Sequence, residues 1–198
     1  MEDILYFLNT NSDAITAVSA IVITALAVYG IAEWKRKIKG AKEFETAYEL
    51  HYSVLEVRSA IKHVRNPAIW PGEDREALKT KYPDRPSEDR EKNSHWYVYE
   101  ARWEKIINAY TKMESHLLAA EVLWGPEIFN KIKPLKKKVT ELNIKLRQYL
   151  DPALRTSSSG DLDAIVYDSS NEDGEDTFSL EVSQVIKEIA DYIKQKIS

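Results

Sequence analysis

Residues 96–150 read WYVYEARWEKIINAYTKMESHLLAAEVLWGPEIFNKIKPLKKKVTELNIKLRQYL. Apolar side chains recur there in alternating steps of three and four. The first run is Trp96, Tyr99, Trp103, Ile106, Tyr110, Met113, Leu117, Ala120 and Trp124; the second is Ile128, Ile132, Leu135, Val139, Leu142, Leu146 and Tyr149. This is the seam of a helix packed along one side. The first run predicts a helix of about thirty residues, roughly 45 Å long. Gly125 suits a left-handed cap and Pro126 suits the opening of the next helix. Pro134 falls off the seam and predicts a kink in the second turn. Two long helices joined by so short a turn predict an antiparallel hairpin, and hence an all-α fold.

Toward the N-terminus the same alternation runs through Ala47, Leu50, Val54, Val57, Ile61 and Val64. It stops before Pro67, which disfavours helical geometry in the residue preceding it. Packing this helix on the hairpin predicts a three-helix bundle with coiled-coil-like seams over residues 43–152. Residues 66–94 interrupt it with four prolines and dense mixed charge. They read as an irregular loop with a helical turn or two from Asp74 to Lys81, pinned by Ile69 and Trp70.

Farther out, residues 14–32 read AITAVSAIVITALAVYGIA, nineteen residues without a charge. As a helix they cover roughly 28 Å, close to the hydrocarbon thickness of a bilayer. Thr16, Ser19 and Thr24 lie inside the run, but a helix absorbs such hydroxyls on its own carbonyls. Tyr29 and Trp34 suit the interface. The segment before the run holds Glu2, Asp3 and Asp13 and no basic residue, which speaks against a cleaved signal peptide. Lys35, Arg36, Lys37, Lys39 and Lys42 follow it at once. This charge bias predicts a transmembrane helix at 14–32, residues 1–13 outside, and the remainder in the cytoplasm at the inner membrane. The five basic side chains are the expected contacts to anionic lipid headgroups.

Toward the C-terminus, Thr156 to Leu180 carries seven acidic residues and no basic one. Residues 153–180 therefore read as an acidic, flexible linker, with a short extended segment at Asp163–Tyr167. Residues 181–198 read as a C-terminal amphipathic helix. Its stripe of Val182, Val185, Ile186, Ile189, Ile193 and Ile197 is the expected docking surface for a protein partner or a second copy.

The string AIKHVRNPAI at 60–69, with AAEVLWGPEI at 119–128, resembles a group of uncharacterised bacterial proteins. These have one N-terminal membrane helix and a helical cytoplasmic part. The likeness covers residues 14 to 150. It implies an anchor and a helical fold, and it carries no activity to transfer.

Candidate chemistry is sparse. The chain has no cysteine, which removes disulfides, thiol catalysis and thiolate metal sites. The residues three before His51, His63, His95 and His116 are Tyr48, Ala60, Lys92 and Met113, so the Glu-x-x-His pattern of di-iron bundles is missing. The stretch SSNEDGEDTFSLE imitates a calcium loop, but its twelfth position is Leu180 where a bidentate acid is needed. Glu100, Glu114 and Glu121 read as seam flanks facing the lysines of the next helix. Lys131, Lys133, Lys136, Lys137 and Lys138 make that helix basic, for water, for anionic lipid or for the acidic 161–176 segment. Interleaved aromatics are missing there and the net charge is −4, so no nucleic acid is expected. Trp96, Trp103 and Trp124 read as core, although the same three would line a ligand pocket.

No catalytic, cofactor-binding or metal-binding residue is assigned. The expectation is a membrane-anchored helical scaffold or regulator, with lipid and a protein partner or second copy as its contacts. One alternative is a membrane-bound enzyme or ligand sensor with polar residues around His51, Arg58, Arg65 and Asn66. Another is a spanin-like envelope protein, which the basic cluster after the span opposes.

Overall fold

The computed structural model describes residues 6, 12–81, 87–156, 158–169 and 176–197. Regular structure among them is helical: α1 (Ser12–Val64), α2 (Glu73–Lys81), α3 (Ser87–Trp124), α4 (Glu127–Leu150), a 3-10 turn (Pro152–Leu154), α5 (Ser159–Val166) and α6 (Thr177–Ile197). The chain divides into two compact units, Met1–Phe44 and Glu45–Ser198.

The first unit is built on the N-terminal part of α1. Thr16 Oγ1 donates to the Ser12 carbonyl and Thr24 Oγ1 to the Ala20 carbonyl, each at 2.8 Å. The helix thus satisfies its own hydroxyls, and the large apolar side chains from Val18 to Ile31 are exposed. Among the described residues, α1 is long and apolar enough to cross a membrane.

The second unit has one main apolar core. The later part of α1 contributes Leu50, Val54, Val57, Ile61 and Val64; α3 contributes Ile106, Met113, Leu117 and Trp124. From α4 come Ile128, Ile132, Leu135, Leu142 and Leu146. Gly125 takes φ +84°, and its amide donates to the Glu121 carbonyl at 2.8 Å, closing α3 before Pro126 begins the turn into α4. A left-handed backbone is open to glycine at little steric cost.

The fourth contributor is α6, which corrects the three-helix expectation. Phe178, Val182, Ile186, Ile189 and Ile193 are buried in the same core. Val185 is half-buried against it, and Ile197 is exposed at the helix end. The stripe expected to dock on a partner is therefore covered by the chain itself. Burying a large aliphatic side chain gains roughly 1.5–3 kcal/mol, so the stripe takes the nearest apolar surface.

The linker expectation is also corrected. Asp151 caps the 3-10 turn by accepting from the Ala153 amide at 2.9 Å. Ser158 accepts from the Asp161 amide at the start of α5, whose Leu162 and Val166 are buried one turn apart. Residues expected to be extended at 163–166 are helical, because a cap and an i,i+4 apolar pair outweigh the acidic composition. Residues 170–175 lie outside the described set.

The irregular 66–94 stretch contracts in the same way. Residues from Glu73 to Lys81 form α2, and α3 begins at Ser87. Ala77 and Leu78 of α2 make a small second core with Tyr97, and Ala101 packs against it.

Candidate functional site

Two arginines fix the frame of the second unit. Arg65, just past α1, is 1 % exposed. Its Nε donates to the Ile165 carbonyl at 2.7 Å and its Nη1 to Ser179 Oγ at 2.7 Å. Its Nη2 reaches the Ala164 and Tyr167 carbonyls and Asp176 Oδ2, the last at 2.9 Å. One guanidinium thus ties the last turn of α5 to the first turn of α6. Asp176 in turn caps α6, accepting from the Ser179 amide at 2.8 Å. Burial raises the Asp176 carboxyl, but the Ser179 amide, Arg65 and the Ser169 amide outweigh it and hold it below the usual range.

Arg102 of α3, 2 % exposed, does the same for the 66–73 connection. Its Nε meets Glu73 Oε1 at 2.7 Å and its Nη2 meets Glu73 Oε2 at 2.9 Å, a bidentate pair. Its remaining hydrogens go to the Asn66 and Ala68 carbonyls. Hydrogen bonding to Arg102 is the main reason the Glu73 carboxyl sits below its ordinary value.

Between the ends of α3 and α4 lies an apolar cleft of about 400 Å³. Tyr99 and Leu146, both buried, line it with Leu150. Trp96 and Trp103 form the α3 wall, Trp96 being 42 % exposed. Ile107 and Leu154 line it as well, and both are exposed. The cleft exists because α4 stops at Leu150, where Asp151-Pro152 turns the chain, while α3 starts nine residues before Trp96. The upper seam of α3 thus lacks the cover that the lower seam has. Its polar members are Glu100, Asn143 and Arg147. Arg147 Nε donates to Asn143 Oδ1 at 3.2 Å, one helical turn away.

Tyr99 links the cleft to an aromatic cluster. Its ring meets Tyr149 edge-on at 6.2 Å, and Tyr149 meets Tyr167 edge-on at 5.4 Å. The Tyr149 and Tyr167 hydroxyls are hydrogen-bonded. Burial raises the Tyr99 hydroxyl; burial and then the bond to Tyr149 raise that of Tyr167. Both therefore stay protonated at neutral pH.

The remaining expected site residues are dispersed. Lys35, Arg36, Lys37, Lys39 and Lys42 are all exposed in the first unit. Arg36 and Lys37 pair with Glu33, and Lys39 pairs with Glu43 at 3.7 Å. Of the polar group considered for catalysis, Arg65 is consumed by the α5–α6 contacts and the Asn66 side chain accepts from the Ala68 amide. His51 is held below its ordinary value by burial, then by Lys194 and Arg58. The basic face of α4 is partly paired within the chain. Lys136 meets Glu114 at 2.7 Å, and Lys138 meets Glu141 and Glu181. Trp124 is buried, but Trp96 and Trp103 are not the closed core that their spacing predicts. Arg102 was invisible to motif reading; its signal was a lone arginine beside a seam residue.

No protein-family model matches this chain, and neither a curated protein nor a solved structure matches it.

Proposed function

We propose that this chain is a single-pass membrane protein whose helical unit serves as a scaffold or regulator through protein–protein contacts at the cytoplasmic face. The observation that supports it is the exposed, uncharged run from Ala14 to Ala32 within α1, followed at once by the basic cluster at 35–42. Exposed apolar surface costs roughly 25 cal/mol per Å² in water, so a helix bare on every face belongs in lipid. The basic cluster supports an N-terminus outside and the second unit inside, at the inner membrane of a bacterium. Exposed ion pairs such as Lys37–Glu33 are worth little, so these side chains exchange readily onto anionic headgroups.

A reporter fused at Ser198 tests the arrangement. It should be active only on the cytoplasmic side; periplasmic phosphatase activity from that fusion would reverse the reading. Crosslinking of the intact protein in its native membrane tests the contact role. A reproducible stoichiometric partner or second copy supports it, and a protein that stays monomeric under saturating crosslinker opposes it.

A second reading, a ligand sensor, is favoured by one observation: the aromatic cleft at the Trp96 end of α3. A concave, mostly apolar site with a few polar groups at its edge is the usual form of a small-molecule pocket.

A further inference from the structure

We infer that the cleft between α3 and α4 binds a small aromatic carboxylate. The inference does not depend on the membrane anchor. Its volume of about 400 Å³ lies in the range of small-ligand sites. Three aromatic side chains, Trp96, Tyr99 and Trp103, line one wall over two helical turns, with Trp96 exposed, Trp103 half-buried and Tyr99 buried. Further along α3, the corresponding seam positions Met113, Leu117 and Ala120 are fully buried. An exposed Trp96 beside a half-buried Trp103, on a seam whose lower end is closed, leaves apolar surface in the cleft unfilled. A planar ring entering the cleft recovers both the burial and the offset or edge-to-face contacts that aromatic pairs favour.

Charge selects the rest of the ligand. Arg147 stands on the α4 side, and its Nε is steadied by Asn143 Oδ1. Among the described residues no carboxylate pairs with it. A guanidinium accepts a planar carboxylate in a two-pronged fork, which fixes the orientation of the attached ring. Glu100 lines the α3 side of the same cleft.

The test is isothermal titration calorimetry of the full chain in nanodiscs of zwitterionic lipid, with empty nanodiscs as the blank and 2-naphthoate as the probe. The expected result is saturable binding of one equivalent. The uncharged 2-naphthol should bind at least about tenfold more weakly, the scale of one lost charge-assisted contact. Arg147→Gln should weaken 2-naphthoate by about tenfold. Circular dichroism of the variant checks the helical content, and the ligand series on the unaltered chain needs no variant. Heats equal to those of empty nanodiscs would overturn the inference. Equal binding of 2-naphthol and 2-naphthoate would overturn it too, and would give the cleft to an apolar side chain of a protein partner.

Discussion

The isoleucine stripe of α6 and the tryptophan wall of α3 exchange the roles that their sequences suggest. Both repeat at helical spacing. The stripe at 182–197 follows an acidic stretch and looks available to a partner, yet Val182, Ile186, Ile189 and Ile193 are buried in the chain's own core. The wall at 96–103 begins the longest seam in the second unit and looks like core, yet Trp96 is open. Periodicity says that a face is apolar and leaves open what covers it. Cover is decided by where neighbouring helices end. Asp151-Pro152 stops α4 early and uncovers the wall, while Arg65 draws α5 and α6 together and seats the stripe.

The largest effect that tests this contrast is expected at Arg65. Arg65→Ala removes the donor to three carbonyls, Ser179 and Asp176. Breaking a buried, hydrogen-bonded charge pair costs about 3–5 kcal/mol, because the acceptors left behind stay buried. Chemical unfolding of the purified chain measures it, and a loss below about 1 kcal/mol would mean that α6 seats without this clasp.

Ile189→Ala should come next, at about 3 kcal/mol, since a fully buried isoleucine leaves a cavity behind. The same unfolding curves read it. A neutral result would put the stripe back on the surface.

Trp96→Ala should cost less, about 1–2 kcal/mol, although it removes far more atoms, because much of the indole is already in water. A loss of the size expected for a closed aromatic core, about 3–5 kcal/mol, would erase the contrast.

Acid should have the smallest effect. Asp176 and Glu73 both titrate below their ordinary values in the folded chain. A depressed carboxyl stabilises the fold above its unfolded pKa, and that contribution disappears as the pH falls through the folded pKa. Unfolding midpoints should therefore decline below about pH 4, beyond a shallower decline that begins at about pH 6.5, because His51 is held neutral in the fold and takes up its proton first in the unfolded chain. Asp176→Asn should flatten the steeper decline; an unchanged decline would assign it to other carboxylates.

The helical class, the α3–α4 turn and the hydroxyl-bearing apolar run were legible because each rests on local chemistry. Gly125 and Pro126 act within one turn, and Thr16 and Thr24 bond their own helix. What was illegible is long-range. Arg65 and its acceptors are separated by about a hundred residues of chain. No spacing rule connects Arg102 to Glu73 through the 66–73 connection. Acidic composition argued for a flexible linker with a short extended segment at 163–167, while a serine cap and the Leu162–Val166 pair made a helix at 159–166. The cleft was half legible: its tryptophans were visible as a set, but the end of α4 that leaves Trp96 open is a matter of tertiary packing.

The central claim is that α6 completes the core of the second unit and is not held out for a partner. Hydrogen exchange of the full chain in nanodiscs tests it most directly. Amides from Val182 to Ile193 should be protected to the same degree as those from Ile132 to Leu146 of α4, as expected of one cooperative unit. Rapid exchange across Val182–Ile193, with α4 still protected, would contradict the claim and return the isoleucine stripe to the surface.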